Sequence, residues 1–417
     1  MKVLMFGWEF PPMNTGGLGT ACYGLTKGLS QNGVETVLVL PQAAAEADTQ
    51  IVPGTIGPSR QKATWEFGSL KIRSANVANV KVKSVRSAMA AYMTPSQYEQ
   101  YMLKMKGIKP IYGNNLFEEV ERFAQQAAAI AKEEQFDIIH AHDWMTYKAG
   151  LAAKRVSGKP LVVHVHATEF DRTGGLGTNE HVYGIEKAGM QQADAVIAVS
   201  GYTKQKIIEH YGIPESKINV VHNAIDSDDI PKIHTEKNPG QKTVLYLGRI
   251  TLQKGPDYFI EAAKKALESD PNIRFIVAGS GDMEPAVIEK AAGLGIGHNV
   301  LFAGYLKDEE IHRAYRMADL YVMPSVSEPF GITPLEAVMN NTPVIISKQS
   351  GVKEVLKHSL QVDFWDTDQM ANKIVAALRY KEMHSELQRN SYDEVSRLSW
   401  SKQAQKCIDV YNSVLGI

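Results

Sequence analysis

Short apolar runs separated by helical patterns recur along almost the whole 417-residue chain, and this rhythm restricts the fold more than any other feature. Residues 3–6, 36–40, 137–140, 161–166, 195–199 and 218–221 are such runs. Apolar residues in succession mark strands covered on both faces, as in a parallel sheet with crossover helices. The same rhythm restarts at 244–247 and continues through 275–278, 300–302, 320–323 and 344–346. A chain this long exceeds one ordinary core, so an α/β protein of two Rossmann-like domains facing a central cleft is expected. The polar stretch 223–242, with Pro231, Pro239 and Gly240, reads as the connection between them. The domains are therefore expected over 1–228 and 229–398. A helical pattern over 400–415, in the last segment 399–417, is expected to cross back to the first domain. Residues 42–115 are less regular. There Val80, Val82 and Val85 alternate as a strand does, and 116–132 follows as a long helix.

A net charge of −1 offers no general attraction to nucleic acid or an anionic membrane, so any anion site must be a local cluster. Cys22 and Cys407, near opposite ends, give neither a disulfide framework nor metal-ligand spacing. Glu9 interrupts the first apolar run, which suits a buried strand better than a signal peptide or membrane span. A cytoplasmic protein without membrane association is expected.

Ligands of open α/β sheets bind beyond the carboxyl ends of the strands, and several polar groups cluster there. Glu328-Pro329-Phe330-Gly331-Ile332-Thr333-Pro334-Leu335-Glu336 joins two acids to a glycine turn and a helix start. Backbone N–H groups of Phe330, Gly331, Ile332 and Thr333 are placed to face a diphosphate. Two carboxylates then remain for vicinal hydroxyls, one apt for a hexose and the other for a ribose. An acid-capped surface helix is the other structure such a segment forms. Gly16-Gly17-Leu18-Gly19 opens a helix after the first strand and lets backbone approach a phosphate or sugar, although such turns also arise for packing. Arg249 and Lys254 follow the first strand of the second half, where preorganised cations stabilise a departing diphosphate.

His166 ends a strand in which His164 shares its face, a position that serves either a core or a cleft. His140-Ala141-His142-Asp143-Trp144 closes the neighbouring run and brings Asp143 and an aromatic platform to the same rim. His140 and His142 lack a further ligand at useful spacing, so no zinc site is expected. Asp226-Ser227-Asp228 imitates a metal–diphosphate motif but lies in the connection, where a solvated turn is expected. No metal requirement and no cofactor follow.

Taken together, the Gly16-Gly17-Leu18 loop, His142-Asp143-Trp144, His166, Arg249 with Lys254, Gly279-Ser280-Gly281 and the acid pair resemble the retaining glycosyltransferases of family 4, with the GT-B fold. The pattern is similar to that of bacterial glycogen and starch synthases and spans nearly the whole chain. The resemblance implies a nucleotide diphosphate sugar held by Gly16, Gly17, Leu18, Gly281 and residues 330–333. Arg249 and Lys254 would bind its diphosphate, Glu336 its ribose and Glu328 the transferred hexose. His166 would support the developing oxocarbenium, while Asp143, Trp144 and Tyr112 would lie on the acceptor side. Asn14 stands where the ADP-glucose enzymes carry a lysine, and Glu336 is an acid those enzymes usually lack; both favour UDP-glucose. The implied activity is transfer of glucose to the non-reducing end of an α-1,4-glucan. A family 4 enzyme acting on a lipid or small acceptor is the alternative. A nucleotide-sugar epimerase lacks support because the motifs match transfer. A nicotinamide dehydrogenase fails because no G-x-G-x-x-G follows Phe6.

Overall fold

A computed structural model describes residues 1–11, 16–41, 70–72, 75–85, 116–175, 177–235, 237 and 240–417. Numbered in chain order, the strands of the first half are β1 (Lys2–Phe6), β2 (Glu35–Pro41), β3 (Leu70–Ile72), β4 (Ala75–Val77), β5 (Val80–Val85), β6 (Ile138–His142), β7 (Leu161–Val165), β8 (Ala195–Ala198) and β9 (Ile218–Val220). Seven of them form one parallel sheet in the order β5-β2-β1-β6-β7-β8-β9, while β3 and β4 form a separate antiparallel pair. The second half contributes β10 (Thr243–Leu247), β11 (Arg274–Ala278), β12 (Val300–Gly304), β13 (Leu320–Met323), β14 (Val344–Ser347) and β15 (Leu360–Val362). These make a second parallel sheet, β12-β11-β10-β13-β14-β15. The two expected Rossmann-like sheets are therefore present.

Burial explains the unbroken apolar runs. Val3, Met5, Leu38, Ile138, Val162 and Ile197 lie in one buried cluster, whereas Leu4, Phe6, Val37, Val39, Ile139 and Val163 lie in another. Alternate residues of each strand thus feed opposite faces, and both faces are covered by helices. The short β15 escapes the sequence pattern because its Leu-Gln-Val run lies at a sheet edge with two half-buried residues.

The terminal helix Trp400–Leu415 does return to the first domain, packing on the helix Gly17–Gln31. Trp400 is buried against Gly24 and Gly28, where any larger side chain would overlap its ring or backbone. Asp226 accepts the Trp400 N–H at 3.0 Å and pairs with Lys27 at 3.0 Å, and Asp229 also pairs with Lys27, at 2.8 Å. The expected solvated turn holds for Ser227 and Asp228, which are exposed, and is corrected at Asp226, which is half-buried and anchors the crossover. Arg316 donates to the Pro231 carbonyl at 3.0 Å and also to that of Ile233, tying the connection to the second domain.

Candidate active site

In the second domain the loop after β10 carries Arg249 and the single turn Leu252–Lys254, and the loop after β13 carries Glu328. Lys254 Nζ stands 2.5 Å from Glu328 Oε2, which also accepts the Ser325 hydroxyl at 3.1 Å. Glu328 is fixed by its own backbone, whose N–H donates to Gln349 O and whose carbonyl accepts the Gly351 N–H. A small recess lies over this pair, lined also by Gly248, Tyr321, Met323 and Thr333. Tyr321 donates to Thr333 Oγ1 at 2.9 Å, and Tyr315 donates to Glu336 Oε2 at 3.1 Å, so both expected ligand groups on the helix Thr333–Met339 are held by buried phenols. Gly331 has φ 105°, a left-handed backbone that turns the chain from Glu328 into that helix. At Gly281 the need is different. A Cβ there would meet Ile250 O at 2.1 Å, so the glycine lets the loops after β10 and β11 touch. Arg249 Nη2 donates to Gln253 Oε1 at 3.0 Å, and Gln253 in turn donates to Ser327 O.

On the first domain, Gly16 and Gly17 are exposed at the start of the helix Gly17–Gln31, with Leu18 half-buried. The buried carboxylate of Glu9 accepts the N–H groups of Gly16 and Gly19, so this helix start already has an anion. Burial pushes the Glu9 carboxyl up to about 7, against those N–H bonds and the pull of Arg249 from the other domain. Asp143, immediately after β6, caps the following helix in the sparsely allowed backbone conformation φ 58°, ψ 171°. Such geometry costs roughly 1–3 kcal/mol and persists only where the surroundings fix it. Here the fixing groups are evident: the Asp143 N–H donates to His164 O at 2.9 Å. Its Oδ1 accepts the His166 N–H at 2.7 Å and the Ala167 N–H at 3.4 Å. Burial raises the Asp143 carboxyl to about 7, opposed chiefly by Arg172. Asp143 therefore sets the backbone that carries His166, and Trp144 is buried in the first turn of the following helix. Tyr112 and Asn14 lie outside the described residues.

His140, His142, His164 and His166 pack as one array, so the two histidines that looked short of companions have two on the adjacent strand. Burial lowers the His140, His164 and His166 imidazoles well below the usual histidine range and pushes His142 down to about 3. All four rings are neutral near pH 7.

The halves meet directly. Ser200 Oγ and Thr203 Oγ1 of the first domain donate to Pro329 O at 2.5 and 3.1 Å, gripping the segment between Glu328 and Phe330. Gly201 and Tyr202 N–H groups donate to Glu354, each at 2.9 Å. Lys206 reaches both Asp171 and Ser327, at 2.7 and 2.8 Å. Glu9, Gln253, Asp171 and Lys206 went unrecognised in the sequence. Only Glu9 left a signal there, as a charge interrupting an apolar run.

Glu9 supports a pH prediction. Its folded pKa is raised above the ordinary 4.5, so its contribution to stability is complete below about pH 4.5 and is lost as pH rises through 7. Glu9→Gln removes that loss, on the order of 3 kcal/mol for a shift of this size. Melting profiles of the two proteins from pH 4 to 8 should therefore converge at low pH and separate, with the variant more stable, above 7. Parallel profiles would show that Glu9 ionises freely.

Two family profiles cover adjacent parts of the chain: Glycosyltransferase Family 4 matches residues 87–229, and Glycosyl transferases group 1 matches 227–394. An uncharacterized glycosyltransferase of Methanocaldococcus jannaschii is 29% identical over 99% of this chain and 98% of its own length. The glycogen synthase of Mycobacterium tuberculosis is 26% identical over 85% of this chain and 80% of its own. Among solved structures, the sucrose-phosphate synthase of Thermosynechococcus elongatus superposes with a TM-score of 0.74 at 18% identity, over 100% of this chain and 99% of that one. Two facing Rossmann-like sheets, a terminal helix crossing back and matches to both halves agree: the chain belongs to the family 4 glycosyltransferases of the GT-B fold.

Proposed function

We propose that this glycosyltransferase moves glucose from a nucleotide diphosphate, UDP-glucose ahead of ADP-glucose, to the non-reducing end of an α-1,4-glucan with retention of anomeric configuration. The observation that carries this is the Lys254–Glu328 pair inside the recess after β13. An ammonium already balanced by a carboxylate can exchange that partner for a diphosphate, which releases Glu328 for sugar hydroxyls. Arg249 adds the second cation, Glu336 takes the ribose, and Phe330 to Thr333 flank the phosphates. Across the cleft His166, on the backbone fixed by Asp143, supports positive charge at the anomeric carbon. The leaving phosphate takes the acceptor proton on the same face, so no separate base is required. The glucan acceptor is supported by similarity to a glycogen synthase over most of both chains.

The test is a screen of UDP- and ADP-glucose against α-1,4-glucan, a small sugar and a lipid acceptor, with the new linkage assigned by NMR. An α-linked glucosyl extension of glucan is expected. A β-linked product would overturn retention, and exclusive transfer to the lipid or small sugar would overturn the acceptor. Among the described residues no helix is long and apolar enough to cross a membrane.

Arg249 and Lys254 also predict that no divalent ion is needed at the diphosphate, because fixed cations supply the same charge. Transfer should continue at an undiminished rate in EDTA. Loss of activity on chelation with recovery in magnesium or manganese would contradict that assignment.

A further inference from the structure

The histidine array at the ends of β6 and β7 contains more ligand capacity than sugar transfer uses. His142 Nδ1 lies 2.9 Å from His166 Nε2, and His140 Nε2 lies 3.3 Å from His164 Nδ1. His140 Nδ1 faces the Tyr411 hydroxyl of the returning helix at 2.5 Å. Those contacts leave His142 Nε2, His164 Nε2 and His166 Nδ1 buried and unpartnered. Buried side-chain nitrogens are nearly always paired, so three orphans in one array point to a ligand that accepts nitrogen donors. Cys22 approaches the array from the helix Gly17–Gln31. One ligand atom from each of Cys22, His142 and His166 lies within 4.8 Å of the others.

We propose that Cys22, His142 and His166 form a binding site for a transition-metal ion of the zinc class, and that loading this site switches transfer off. Two imidazoles and a thiol select a borderline-soft ion such as Zn²⁺ or Co²⁺ and disfavour Mg²⁺ or Ca²⁺, which take oxygen ligands. Tetrahedral zinc at about 2.0–2.1 Å from nitrogen and 2.3 Å from sulfur places its ligand atoms roughly 3.3–3.7 Å apart. The three side chains therefore need to close by no more than about 1.5 Å on binding, a change within reach of rotamer adjustment. The Cys22 thiol loses its proton to solvent as the sulfur donates its electron pair to the ion, with no change of oxidation state. His166 is half-buried whereas Cys22 and His142 are buried, which makes the cleft the route of entry. The inhibitory half rests on the role proposed above for His166, whose ring cannot serve the donor sugar while it holds a metal.

Cobalt titration of the chelator-treated full chain tests the site without reference to activity. One Co²⁺ per chain is expected, with a thiolate-to-cobalt charge-transfer band in the near ultraviolet and the visible bands of tetrahedral cobalt. Cys22→Ser and Cys22→Ala should lose the charge-transfer band while keeping the wild-type circular dichroism; Cys407→Ser should retain it. His142→Asn should weaken cobalt binding tenfold or more. Saturating Zn²⁺ should reduce wild-type transfer at least tenfold, EDTA should restore it, and the Cys22 variants should escape most of the inhibition. Absence of the band, its persistence in folded Cys22→Ser, or full turnover in zinc-loaded wild type would overturn the proposal. A chain that shows the band but transfers no sugar in any state would instead overturn the transferase assignment.

Discussion

Glu328→Ala is expected to lose turnover by roughly 30- to 1000-fold with little change in donor KM, whereas Glu336→Ala should mainly raise that KM. Loss of one charged hydrogen-bonded contact is worth about 2–4 kcal/mol, which sets this range. The two acids divide because only contacts that strengthen in the transition state raise kcat. A ribose contact is similar before and during reaction, but a carboxylate beside a sugar becoming cationic is not. In the ligand-free protein Glu328 neutralises Lys254, so alanine also leaves an unpaired ammonium in the recess. Glu328→Gln separates these effects, since it fills the same volume and still accepts the Ser325 hydroxyl. If the glutamine variant melts like wild type yet transfers as slowly as the alanine variant, the carboxylate charge is what matters. Loss confined to KM at Glu328, with kcat abolished at Glu336, would reverse the assignments.

The sheets were legible because parallel strands buried on both faces leave unbroken apolar runs, as at Val3 to Phe6, which need no knowledge of distant contacts. The helix Trp400–Leu415 was legible for a similar local reason. Candidate residues stood out where polar groups concentrate at strand ends, and the structure brings Lys254 to Glu328 and Asp143 to His166 there. What remained hidden depends on pairing between elements far apart in sequence. His164 and His166 join His140 and His142 only because β6 and β7 are neighbours in the sheet, and nothing in the spacing of 24 residues announces it. Glu9 serves the glycine loop through backbone N–H groups, which have no side-chain signature. The Lys206–Asp171–Ser327 contact joins groups separated by 35 and 121 residues and lies between domains.

That contact carries the second large effect. Lys206→Ala is expected to cost about 3–5 kcal/mol of stability at neutral pH, because it leaves a buried carboxylate without its counter-charge. Asp171 is fully buried. Burial alone would raise its carboxyl, but the charge and hydrogen bond of Lys206, with donors from Ser327 and Thr168, hold it below the ordinary 3.8. In the wild type this contribution is present above that pH and is lost as pH falls through the lowered folded value. In Lys206→Ala the balance inverts: Asp171 takes up a proton more readily, so the penalty should shrink between pH 8 and pH 5. Ser327→Ala removes only one hydroxyl and should cost about 1 kcal/mol, within the range of a single neutral hydrogen bond. Chemical denaturation at both pH values measures all three. A pH-independent penalty, or one equal to that of Ser327→Ala, would show that Asp171 is solvated in the folded chain. The outcome bears on transfer as well as folding, since Ser327 immediately precedes Glu328. Donor contacts are proposed mainly on the second domain and His166 lies on the first, so a productive site needs the domains held together. Among the cross-domain links, the Pro329 carbonyl uses hydroxyl donors that water can replace when the cleft opens, and Glu354 accepts two backbone N–H groups and faces His222 Nε2 at 2.8 Å. The Lys206–Asp171 pair lies within the first domain, and Ser327 bridges it from the second. Opening the cleft at this point therefore exchanges one hydroxyl for water and keeps the buried charges paired, so this contact adds little to the cost of parting the domains.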